Sequence, residues 1–177
     1  GYLIVLIALL AVPAAALVAG TWVAATFLQD KAGYQETWSM LEAGALSTVG
    51  GLALKYALGR ERPNDTADSS TWFGSGDSLP SLHTTAAFAI GTVLAESGND
   101  RYRWVRRTLG YGVAGATAYL RMRDNVHWLS DTVAGAALGM ATAHFVMNRR
   151  ARSHSDSTVM FAPIEGGLML SWSTPLR

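Results

Sequence analysis

The chain has no cysteine, and that absence removes disulfides, zinc–thiolate sites, iron–sulfur clusters and thiol catalysis from what it could do. Any metal would have to rest on His, Asp or Glu. Charge is scarce as well. Only 15% of residues are charged and the formal net charge is +1, so there is no field to recruit nucleic acid and no basic stripe interleaved with aromatics. Nucleic acid is not expected as a partner. Internal repeats and low-complexity tracts are missing too. The 177 residues make one domain's worth of chain, long enough to bury a sizeable core. We read residues 1–177 as a single domain, with a helical core over 1–150 and a tail over 151–177.

What the chain does have is apolar length. Residues 1–29, GYLIVLIALLAVPAAALVAGTWVAATFLQ, carry no charge and exceed the roughly 20 residues a membrane-spanning helix needs. A cleaved signal peptide would open with basic residues, so this segment is expected to be retained, in lipid or deep in protein. The apolar stretches at 43–54, 79–95, 108–120 and 132–148 are shorter and rich in Ala and Gly. Their length and periodicity favour helices over strands, and the small-residue runs GVAGATA (112–118) and AGAALGMA (134–141) let helices approach closely. The pattern predicts an all-α bundle with helices at 2–29, 36–60, 81–97, 102–120 and 127–149, five in all, or six if Pro13 divides the first. A turn-rich loop over 61–80 and a basic connection over 97–107 separate them. In the tail, Gly166 and Gly167 precede an alternating LMLSWS, which predicts a strand or an irregular extension packed on the helices.

If the helices alternate across a membrane, the loop charges sort into two groups. Lys31, Arg101, Arg103, Arg106, Arg107, Arg149, Arg150 and Arg152 fall on one side; Lys55, Arg60, Arg62, Arg121 and Arg123 fall on the other. By the positive-inside rule the first group faces the cytoplasm and the second lies outside it. A mean hydropathy of +0.19 keeps a second architecture open, a soluble helical domain with a hydrophobic anchor.

The second group contains three stretches with chemical content. KYALGRERP supplies Lys55 and Arg62, about two helical turns apart, so that both lean toward one point where Pro63 stops the helix. LPSLHT supplies Pro80, Ser81 and His83. A helix starting there would point the amides of Ser81, Leu82 and His83 at an anion. RMRDNVHWLSD supplies Arg121, His127 and Asp131, the last two four apart on one helix face, so that the carboxylate can orient one imidazole nitrogen and leave the other as a nucleophile. Arginine offers a planar fork for phosphate oxygens and lysine a compact charge. Each piece alone has an ordinary explanation: a solvated helix cap, a surface ion pair, a helix start. Trp128 reads as packing or interfacial, His144 as a structural residue buried in an Ala-rich helix, and His154 as chemically idle. The conjunction is what points to phosphate chemistry, because it gathers three cations, two histidines and a carboxylate in a chain with only four histidines.

In order and internal spacing these stretches resemble the three signature motifs of the type 2 phosphatidic acid phosphatase superfamily, Lys-x6-Arg-Pro, Pro-Ser-x-His and Arg-x5-His-x3-Asp. The resemblance implies a helical membrane enzyme that removes phosphate from lipid phosphates or pyrophosphates. It implies His127 as the nucleophile that forms a phosphohistidine, Asp131 as its orienting partner, and His83 as the acid that protonates the leaving oxygen and then activates water. Lys55, Arg62, Arg121, Ser81 and Leu82 become phosphate ligands, with no metal and no cofactor required. The implied partners are a phosphorylated lipid and the membrane, and the implied location is a bacterial inner membrane, multi-pass, with the active site on the periplasmic side. The chain departs from the family in having Leu82 where Gly is common and Leu120 where Ser is common, and Leu82 is expected to narrow the entrance or touch an acyl or prenyl chain. Other readings are a soluble periplasmic acid phosphatase or phosphotransferase, a non-catalytic lipid-phosphate-binding membrane protein, and a vanadate-dependent oxidase. Oligomeric state is not legible.

Overall fold

Two residues turn the chain back on itself after the first apolar run. Gln29 takes a left-handed φ of 51°, and the carboxylate of Asp30 accepts from the Ala32 N–H at 2.9 Å, capping the next helix. That cap starts the helix at Lys31 rather than at the expected 36. The computed structural model describes residues 2–98, 102–153, 158–164 and 167–173, with side chains over 13–98 and 102–152. Among them lie α1 (Tyr2–Leu28), α2 (Lys31–Leu58), α3 (Leu82–Glu96), α4 (Arg103–Arg123) and α5 (Leu129–Ser153). The all-α expectation holds for the core, and α1 runs through Pro13 undivided. The tail is an antiparallel hairpin, β1 (Thr158–Ile164) and β2 (Gly167–Ser173), in which Thr158 pairs with Ser173 and Ile164 with Gly167. His154 lies outside the described residues.

Helix α3 is the hub and touches all four other helices. It is short, and small or β-branched residues line most of it, so neighbours can close on it from every side. At its crossing with α4, a Cβ on Gly91 would lie 2.4 Å from the Gly110 carbonyl oxygen, and a Cβ on Gly110 would lie 2.3 Å from that of Gly91. The two backbones therefore touch. Gly139 on α5 sits similarly against the Thr85 carbonyl. Of the small-residue runs, 134–141 acts as expected and 112–118 does so in part: Ala114 and Thr117 are buried, but Gly112 and Gly115 face open space, and the close backbone approach belongs to Gly110. Met40, Ala43, Ala89, Ile90, Val93, Leu94, Ala143 and Val146 fill the core.

Gly59, not Pro63, stops α2. It adopts φ 49°, ψ 41°, and its N–H donates to the Lys55 carbonyl at 3.0 Å, the left-handed cap that glycine favours. A side chain there would also collide with the Gly74 carbonyl at 2.3 Å, because the following loop folds back along 58–61. Phe73 N–H donates to Leu58 O at 2.8 Å, Gly74 N–H to Gly59 O at 2.9 Å and Ser78 N–H to Arg60 O at 2.8 Å. Arg62 thus sits on this stitched loop, not on the helix with Lys55. Helix α4 continues past 120 and carries Arg121 in its last turn, while α5 begins at Leu129 and leaves His127 in the turn before it.

Candidate active site

The stitched loop, the last turns of α2 and α4, the first turn of α3 and the turn before α5 meet at one end of the bundle. There Lys55, Arg62, His83, Arg121 and His127 line a cavity of about 280 Å³, together with Leu52, Tyr56, Asp77 and Leu82. Residues up to 75 positions apart in sequence, Leu52 and His127, thus share one small space. Arg121 is 6% exposed and His127 3%. Both carry a buried nitrogen, Arg121 Nε and His127 Nδ1, with no hydrogen-bond partner among the described residues. Unpaired buried donors of this kind mark a place where a partner belongs.

Asp77 holds part of that space. Arg62 grips its carboxylate through Nε to Oδ1 at 2.6 Å and Nη2 to Oδ2 at 2.8 Å. Lys55 Nζ donates to the Asp77 backbone carbonyl and lies 3.8 Å from Oδ2. Hydrogen bonding from Arg62 holds the Asp77 carboxyl below the usual carboxylate range. A tetrahedral anion entering the cavity competes with this carboxylate for the same two cations.

Asp131 is fully buried, as the expected orienting partner of His127. Its Oδ2 lies 3.8 Å from His127 Nδ1, longer than a hydrogen bond. The carboxylate is instead gripped elsewhere. Arg60 Nη1 donates to Oδ1 at 2.5 Å, and Ser78 Oγ and the Trp128 N–H donate to Oδ2 at 2.5 and 2.8 Å. Burial, and after it the charges of Lys55, Arg121 and Arg62, push the His127 imidazole below its ordinary value of 6.5, while Asp131 pulls the other way. The ring is therefore neutral near neutral pH. With Nδ1 on the Asp131 side, Nε2 is the nitrogen left for the cavity.

Two expectations need correction. Ser81 does not line the cavity. It is fully buried, its N–H donates to the Asp131 carbonyl at 3.1 Å, and its hydroxyl accepts from Thr84 at 3.0 Å. Only Leu82 and His83, the first two residues of α3, remain there with helix-start amides that lack intrahelical acceptors. His144 is exposed, not buried, and borders a separate polar cavity of about 900 Å³ with Glu36, Arg106 and Arg150 at the opposite end of the bundle. Trp128 does pack, and its Nε1 also donates to the Glu61 carbonyl at 3.0 Å. Arg60, Asp77 and Ser78 were missed. Nothing in their local sequence separates them from ordinary loop residues, and only the Gly59–Arg60 step inside the Lys55–Pro63 stretch could have drawn attention.

Leu82 stands where its side chain borders both this cavity and a second, largely apolar one of about 610 Å³ between α1, α2 and α3, which His83 also borders. Gly51 makes the room: a Cβ there would lie 2.6 Å from the leucine's Cδ2.

Residues 36–155 match the PAP2 superfamily. The lipid A 1-phosphatase of Porphyromonas gingivalis is 35% identical over 113 residues, covering 61% of this chain and 23% of that protein, so the chain spans under a quarter of that relative's length. Among solved structures, LpxE of Aquifex aeolicus superposes with a TM-score of 0.54 at 22% identity, covering 79% of this chain and 86% of that one. The first transmembrane PAP2-type phosphatidylglycerolphosphate phosphatase from Bacillus subtilis superposes with a TM-score of 0.55 at 18% identity, over 83% of this chain and 69% of that one. At these identities the two structures establish a shared helical fold.

Proposed function

This chain belongs to the PAP2 superfamily, and from that premise we propose that it is a phosphatase acting on a phosphate monoester or diphosphate of a lipid through a phosphohistidine at His127. The observation that carries the reading is the shared cavity: three cations and two histidines around a space of about 280 Å³, with the buried Arg121 Nε left unpaired among the described residues. Phosphoryl transfer needs positioning and neutralisation of the equatorial oxygens. Lys55, Arg62 and Arg121 supply that charge, so the site calls for no metal, and Asp77, exposed and held by the same cations, gives way to the substrate. His127 Nε2 attacks phosphorus as the bond to the lipid's leaving oxygen breaks, and His83 protonates that oxygen. His83 then takes a proton from water, the hydroxide attacks the phosphohistidine, and inorganic phosphate leaves with the imidazole restored. Asp131 steadies the ring.

A lipid substrate is favoured over a small soluble ester by the apolar cavity that meets the phosphate site at Leu82 and His83. Membrane embedding is supported by exposed aromatic residues at both ends of the bundle, Tyr56, Phe73 and Tyr119 at the active-site end and Phe27, Tyr102 and Trp104 at the other. Among the described residues no helix is long and apolar enough to cross a membrane by itself. Lys31, Arg103, Arg106, Arg107, Arg149, Arg150 and Arg152 cluster at the end away from the cavity, and by the positive-inside rule this supports our reading of a periplasmic active site on a bacterial inner membrane.

The test is phosphate release from phosphatidic acid, phosphatidylglycerol phosphate, undecaprenyl pyrophosphate, lipid A phosphate and a water-soluble ester. We expect release from at least one lipid to exceed that from the ester, and His127→Ala to lower it on the order of 10⁴-fold. A folded wild type that cleaves none of them ends the enzyme reading. Release that survives His127→Ala removes the nucleophile.

A further inference from the structure

Asp131 is fully buried, and the histidine it is meant to orient lies 3.8 Å away. A buried carboxylate persists only if something compensates its charge and fills its lone pairs. That work falls to Arg60, which occupies one of the unspecified positions of the Lys-x6-Arg-Pro stretch. The guanidinium is 4% exposed. Nη1 donates to Asp131 Oδ1 at 2.5 Å and to Ser130 Oγ at 2.7 Å, while Nε and Nη2 converge on the Ser69 carbonyl at 3.1 and 2.7 Å. Its faces are covered by Trp72, with the ring centroid 4.6 Å from Cζ, and Trp128 at 5.7 Å. Its backbone takes part too. The Arg60 carbonyl accepts from the Ser78 N–H, and Ser78 Oγ donates to the other Asp131 oxygen.

We propose that Arg60 is a positioning residue of this reaction: through Asp131 it fixes the His127 imidazole in line for attack, and it does so without touching the phosphate. Anchored on the Ser69 carbonyl, its Nη1 holds Oδ1 while Ser78 Oγ and the Trp128 N–H hold Oδ2, which leaves Asp131 one orientation, with Oδ2 toward His127, and Arg60 is absent from the residues lining the phosphate cavity. Loss of this grip frees a buried carboxylate to turn toward Lys55 or Arg121, and the imidazole loses its reference.

The proposal rests on His127 as nucleophile, so wild type and His127→Ala are measured first; inactivity of the wild type, or activity of His127→Ala, defeats the functional reading before Arg60 is tested. Next come kcat, KM and inhibition by inorganic phosphate for Arg60→Gln, Arg60→Lys, Asp131→Asn and the double variant Arg60→Gln/Asp131→Asn. A displacement of about 1 Å in a reacting group costs on the order of 100-fold, so we expect Arg60→Gln to lower kcat by about that factor. KM and phosphate inhibition should stay within about threefold, because Lys55, Arg62 and Arg121 are untouched. Arg60→Lys, which keeps the charge but not the fork, should fall between the two. In the Asp131→Asn background the Arg60→Gln change should cost under about threefold, since coupled residues are not additive. The double variant also removes both members of the buried pair, so it tests the idea even if Arg60→Gln alone does not fold. The proposal fails if Arg60→Gln keeps wild-type kcat, or if the Arg60→Gln change costs the same factor with Asn at 131 as with Asp. It also fails if phosphate inhibition weakens in step with kcat.

Discussion

At the residue scale, reactivity turns on the form the His127 imidazole holds. In the proposed mechanism, attack on phosphorus requires the neutral ring. Burial disfavours the imidazolium, as do Lys55, Arg62 and Arg121; Asp131 favours it, and His83 and Asp77 share the same cavity. The net effect is a depressed value, so the neutral form persists as pH falls past 6.5 and is lost only below it. The limb of the kcat/KM profile that reports the His127 proton should therefore have its half-maximal point below 6.5, separate from the limb on which His83 loses the proton it must donate, and a His127 half-maximal point above 6.5 would contradict this electrostatic account. Lys55, Arg62, Arg121, His83, His127 and Asp131 were legible because their spacings match a pattern. Arg60, Ser78 and Asp77 were not, because what makes them matter is a partner far along the chain: Arg60 meets Asp131 71 positions away. Ser81 was misassigned because a serine after proline at a helix start looks like an anion ligand until its amide is seen to be occupied by the Asp131 carbonyl.

Glycine and capping chemistry act at the scale of the element. Apolar length announced the helices, but their ends depended on local caps: Asp30 starts α2 early, Gly59 stops it, and the turn at 124–128 delays α5 past His127. Two nearby glycines of α4 make a sharp comparison. A methyl group on Gly110 meets the Gly91 carbonyl, so α3 and α4 must part, whereas one on Gly112 meets nothing within 4 Å. Gly110→Ala should lower stability by about 1–3 kcal/mol, read as a fall in Tm. Gly112→Ala should leave Tm unchanged or raise it, by up to about 1 kcal/mol of stability, because alanine is the better helix former. Equal losses from both would mean that the α3–α4 contact is not as close as the backbones imply.

For the whole molecule, the balance between lipid and water decides where the bundle resides. Phe27 is 84% exposed, Tyr56 87% and Phe73 79%, and aromatic side chains so placed at both ends suit two membrane interfaces. A surface of this kind should resist extraction by high salt and come free only with detergent. Release by salt alone would favour the soluble phosphatase reading. Phe73 also takes a left-handed φ of 59°, which costs energy for an aromatic residue. Its backbone N–H is tied to Leu58, so the loop presents that ring outward by construction.

What the sequence determined by itself was the chemistry on offer and the class of fold. The types and spacings of a few residues limit the reaction, and a run of apolar positions is enough to declare a helix, since both are local properties. The tertiary structure alone decided which charges face one another. Asp77 stands between Lys55 and Arg62 and Arg60 takes the oxygen of Asp131 because a loop folds back along the end of α2 and α5 packs against α3. A buried charge must find its counterpart through space, and that distance is set only when the whole bundle closes.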